Sequence, residues 1–136
     1  MRTNAFISVT GRFLLSLLFM GSGLSKLSAF DATVSYISSF GLPFSTLVYF
    51  LTITIEVVGG LMLLVGYKSR FIAVCMGLFT LLAAVIFHSN FSDQNQMVHF
   101  MKNLAIVGGL LQIGSFGPGT FSLDNHRRTK NDERVR

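Results

Sequence analysis

Arg12, Lys26, Glu56, His88, His99 and Lys102 carry ionic or hydrogen-bonding chemistry within or at the ends of otherwise apolar stretches. A charge inside hydrocarbon costs about 2.5–3.5 kcal/mol on insertion scales, so each needs a partner or a task. Glu56 lies about 12 residues into its stretch, roughly 18 Å deep at 1.5 Å per residue. Thr52, Glu56 and Gly60 share one helical face, with Gly59 beside them, which predicts close helix contact rather than lipid exposure. Arg12 is the expected partner. It sits on the first stretch at a similar depth, on a face continued by Ser16, Phe19, Gly23 and Lys26. An Arg12–Glu56 ion pair is therefore expected, the alternative being a snorkelling Arg12 and a protonated Glu56.

A second polar layer falls at the opposite membrane boundary. Lys26 ends one stretch, His88 ends another, and His99 with Lys102 opens the last, whose inner side continues through Gln112. A pocket lined by Lys26, Glu56, His88, Lys102 and Gln112 would be cationic and partly apolar. It would suit an anionic or carbonyl-rich ligand such as a quinone head group or a lipid phosphate. The plainer alternative is that these residues are interfacial anchors. No metal site is expected, because no Cys, Asp or Glu cluster completes a shell around the histidines. Cys75 stands alone, excluding an internal disulfide or a Cys-x-x-Cys redox pair, and is expected to be a small buried hydrophobe.

The elements that position these residues follow from composition. Hydrophobic residues make up 51% of the 136-residue chain and charged ones only 12%, about half the soluble norm of ~25%. Mean hydropathy is +0.60. Apolar runs over 5–30, 44–66, 71–88 and 97–116 each approach the ~20 residues that cross a bilayer as helix. They lack the alternation of barrel strands. The expected fold is all-α, an integral membrane four-helix bundle spanning 1–120, followed by a basic, flexible cytoplasmic tail over 121–136. Val34 to Phe40 predicts a short amphipathic turn in the first connection, and Ser92 or Asp93 a cap for the fourth helix.

Arg2, the Lys68–Arg70 turn and the tail cations Arg127, Arg128, Lys130, Arg134 and Arg136 alternate with connections free of Lys and Arg. By the positive-inside rule both termini are cytoplasmic. The tail cations read as anchors to anionic lipid, not as a nucleic-acid interface. Leu14 to Met20 has some character of a signal peptide, but the stretch is long, and its loss would spoil the charge pattern. An uncleaved first span is expected.

With these residues in place the chain resembles the DoxX family of small bacterial membrane proteins, in particular its inner-membrane subgroup. The resemblance rests on Arg12-Phe13-Leu14-Leu15 leading to Phe19, Gly23 and Lys26, and on Glu56-Val57-Val58-Gly59-Gly60. It continues through Gly66 and Arg70, Phe87-His88-Ser89-Asn90-Phe91, Phe100-Met101-Lys102-Asn103-Leu104 and Gly117-Pro118-Gly119. It implies a four-helix membrane bundle in the bacterial inner membrane. For some relatives it also implies redox work, as subunits of a thiosulfate:quinone oxidoreductase or membrane partners of thiol and superoxide enzymes. The expected function is an accessory or scaffold subunit without catalysis of its own, acting in the lipid bilayer with a redox-enzyme or membrane-protein partner, or as a homo-oligomer. The alternatives are a quinone-linked oxidoreductase subunit and, less favoured, a small transporter.

Overall fold

The computed structural model describes residues 2–134. Helix α1 (Arg2–Leu27) and a short α2 (Phe30–Ser39) lead to α3 (Ser45–Val65), α4 (Ser69–Phe87), α5 (Gln94–Phe116) and α6 (Leu123–Arg134). α1, α3, α4 and α5 are long and apolar enough to cross a membrane. The four spans run up, down, up and down, so α1 begins and α5 ends at the same end of the bundle.

Each boundary has a local cause. Gly41 at φ +73° and Phe44 at φ +56° turn the chain into α3. Gly66 ends α3 in the left-handed region: its N–H donates to the Leu63 carbonyl at 3.2 Å, and that of Tyr67 to Met62 at 2.9 Å. These paired bonds satisfy carbonyls that a helix end otherwise leaves open. Asp93 starts α5, its carboxylate accepting from the Asn95 N–H at 2.8 Å. Gly117, at φ +86°, stops it.

α1 packs along the second half of α3, and α4 pairs with α5. Arg12, Ser16 and Phe19 are buried, as their shared face predicts. Phe19, Leu63, Met76 and Leu110 form a central apolar layer. A second cluster of Ile37, Tyr49 and Ile53 seats α2 against α3. Glycines set the closeness of α1 to α3. A methyl group at Gly23 would stand 2.6 Å from Val57 Cγ2, and one at Gly60 2.8 Å from Met20 Cγ.

Three features depart from expectation. α3 is not uniformly α-helical; Ile55–Gly59 forms a π turn around Glu56. Cys75 is exposed on the outer surface of α4 rather than buried. Leu123–Arg134 is helical rather than irregular, and its first turn is bonded to the bundle. Asp124 accepts from the N–H groups of Lys68 at 2.7 Å and Ser69 at 2.8 Å, capping α4 from a distant part of the chain. Arg127 lies 4.8 Å from the centre of the Tyr67 ring. Among the terminal cations, the side chains of Arg2, Arg134 and Arg136 lie outside the described residues.

Candidate functional site: a charged cavity opposite the termini

Arg12 and Glu56 do not meet. The Arg12 guanidinium, 2% exposed, donates through Nη1 to the carbonyls of Leu63 at 3.2 Å and Leu64 at 3.1 Å, and through Nη2 to that of Phe121. It sits at the C-terminal, partially negative end of α3. Glu56 instead pairs with Lys26, whose Nζ lies 2.9 Å from both carboxylate oxygens. The reason is directional. Side chains tilt toward the N-terminus of their own helix. On antiparallel α1 and α3 this sends Arg12 toward the terminus-bearing end and Glu56 away from it, while Lys26, a turn beyond Glu56, leans back to meet it.

The pair is embedded in further polar contacts. Ser22 Oγ donates to Glu56 Oε1 at 3.2 Å, and Lys26 Nζ donates to Ser22 Oγ at 2.6 Å. The Tyr49 hydroxyl donates to the Lys26 carbonyl at 3.1 Å, fixing the end of α1. Gly23 lets the Glu56 side chain lie close against α1. The Glu56 carboxylate is 8% exposed and the Lys26 side chain 28%. The Glu56 carboxylate thus accepts from an ammonium and a hydroxyl and retains acceptor capacity for one more donor.

This pair forms one wall of a cavity of about 290 Å³, which His88 and Lys102 also line. Ser22, Asn103, Thr33 and Thr52 add polar atoms, and Phe19, Phe79, Phe87 and Ile106 supply the apolar lining. Four of the five residues expected in a pocket are thus brought together. Gln112 is not; it lines a separate groove beside Arg12 and Gly109. At the mouth, His88 shares a 2.7 Å hydrogen bond with Gln96 and stacks on His99 at 5.1 Å. His99 Nδ1 lies 3.2 Å from Lys102 Nζ. Tyr36 of α2 stacks on Phe87 at 5.7 Å, closing one side. Sequence reasoning did not find Ser22, Thr33, Tyr36 or Asn103. Ser22 was legible, since it stands one helical turn before Lys26, but Thr33 and Tyr36 depend on how α2 folds back.

No group of three or more His, Cys, Asp or Glu that could hold a metal occurs among the described residues. The cavity can hold a small polar head by ionic and neutral hydrogen bonds and leave an attached tail among apolar side chains or lipid.

Fold and cavity together define a polytopic four-helix membrane protein with a charged recess at the end opposite its termini. The chain belongs to the DoxX family, which it matches over residues 7–89. It is 39% identical to inner membrane protein YqjF of Escherichia coli over 116 residues, covering 85% of this chain and 88% of that protein. With inner membrane protein YphA of the same organism it shares 33% identity over 118 residues, 83% of this chain and 84% of the relative. The Surfeit locus protein 4 homolog of Schizosaccharomyces pombe is 28% identical over 132 residues, 92% of this chain but 39% of that longer protein. No solved structure gives a significant match.

Proposed function

We propose that this protein is a non-enzymatic accessory or scaffold subunit of the bacterial inner membrane that holds a small lipophilic molecule by its polar head in the Lys26–Glu56 cavity. The observation that carries this reading is the gathering of Ser22, Lys26, Glu56, His88 and Lys102 around one partly apolar cavity. Lys26 and Glu56 neutralise each other, so Lys102 is the cation left to donate to a carbonyl or anionic head. The cavity's 290 Å³ is near the lower end of ligand pockets, about 300–1,000 Å³, which suits a head group rather than a whole lipid. The π turn at Ile55–Gly59 adds support, because such turns recur at functional sites.

A second reading rests on the donor set. Lys102 and the Asn103 amide suit quinone carbonyls, which would make the protein the quinone-holding subunit of a membrane oxidoreductase, with electrons supplied by a partner. Transport is less favoured. Arg12 at one end and Glu56 with Lys102 at the other are separated by the Phe19, Leu63, Met76 and Leu110 layer. A short-chain ubiquinone at a hundred times its Kd should stabilise the detergent-purified protein by about 2.7 kcal/mol. The gain should disappear in Lys102→Ala. An equal rise in unfolding temperature in both proteins would remove the cavity as its site.

A further inference from the structure

At the terminus-bearing end, a cleft of about 550 Å³ opens between the α3–α4 turn, the loop after α5 and the first turns of α6. We propose that it binds the head group of an anionic phospholipid, its phosphodiester held by Lys68, Arg70 and Arg128. All three are exposed cations on the cleft wall. The cleft also contains Asp124, but each of its carboxylate oxygens already accepts a backbone N–H, from Lys68 and from Ser69. Three cations against one acid leave a net charge of about +2. Among the described residues the sole salt bridge is Lys26–Glu56 at the opposite end.

The cleft has a shaped backbone. Gly117, at φ +86°, passes beneath Arg70, and a methyl group there would stand 3.2 Å from its Nε. Asp124 fastens α6 to the turn, and Arg127 rests on Tyr67, so Arg128 is carried to the cleft by a bonded helix. Depth identifies the ligand. Phe71 and Phe116, exposed at 66% and 79%, line the same cleft at the ends of α4 and α5. Cations at head-group level with aromatic rings on their hydrocarbon side match a phospholipid entering from the bilayer. A soluble anion would have no use for the rings.

The test is native mass spectrometry of the detergent-purified full chain titrated with dioleoyl phosphatidylglycerol or dioleoyl phosphatidylcholine. The anionic lipid should bind at a defined stoichiometry and at least about tenfold more tightly. Removal of each interfacial cation should weaken it about fivefold, so Arg70→Gln with Arg128→Gln should lose about 25-fold. The charge-matched control for Arg128→Gln, Lys130→Gln, should stay within about twofold of wild type, because Lys130 lies off the cleft. An equal loss in that control would mean diffuse attraction and overturn the site. So would indistinguishable binding of the two lipids, or full displacement of phosphatidylglycerol by millimolar inorganic phosphate. If Arg70→Gln lowers the unfolding temperature, Arg128→Gln alone decides. A fivefold loss supports the site and unchanged affinity overturns it.

Discussion

Two cations on α1, a buried Arg12 and a half-buried Lys26, do different work, and their partners explain why. Lys26 neutralises Glu56 at 2.9 Å. Removing one member of a buried pair typically costs about 3–5 kcal/mol, and here the loss should fall at or below the lower end because the Lys26 side chain is 28% exposed. Lys26→Met should therefore lower thermal stability in detergent, and the double variant Lys26→Met with Glu56→Leu should recover most of the loss. Additive losses would show that the two do not interact. Arg12 serves as a distant cap, holding three carbonyls of α3 and the loop before α6. Arg12→Met should cost about 2–4 kcal/mol by leaving buried acceptors unpaired, and it should expose the chain near Phe121 to protease. Arg12→Lys should restore less than half of that, since one ammonium cannot reproduce the planar fork. Glu56 and Arg12 were both legible as residues that need partners. The pairing was misread because depth was counted along the helices without the tilt of the side chains, which sends the two in opposite directions.

Among the elements, the close approach of α1 to α3 is what brings Glu56 within reach of Ser22 and Lys26. Gly23→Ala would drive a methyl group into the β-branched Val57, with Glu56 Cβ at 3.2 Å behind it. It should cost about 1–3 kcal/mol by overpacking and also weaken ligand binding. Gly21→Ala, two residues away with nothing within 4 Å, should be neutral or slightly stabilising in the same unfolding measurement. The four spans could be read from apolar run lengths because hydrocarbon thickness admits few alternatives. Asp93 was readable as a cap for the same kind of reason: its side chain acts two residues away. The π turn at Ile55–Gly59 left no such mark, since it arises from packing between helices. The fold of α6 was equally hidden, because its polar composition reads as solvated until Asp124 is seen to bond Lys68 and Ser69.

The whole molecule separates two polar ends with an apolar middle, which gives each end an independent role. The distribution of Lys and Arg argues that both termini are cytoplasmic. Alkaline phosphatase fused after Arg136 should therefore be inactive and a green fluorescent protein fusion bright, whereas active phosphatase there would invert the topology. The same separation predicts that Arg12→Met, although destabilising, leaves ligand affinity at the far cavity unchanged in whatever protein remains folded. The central claim is that this cavity is a ligand site. It is tested most directly by mass spectrometry of lipids and quinones that co-purify with the protein when it is extracted gently from its native membrane, wild type beside Lys102→Ala. The account predicts a stoichiometric lipophilic species with a carbonyl or anionic head in the wild type that is lost from the variant. Bulk phospholipid alone, equal in both preparations, would contradict it and leave Lys26–Glu56 as a packing device.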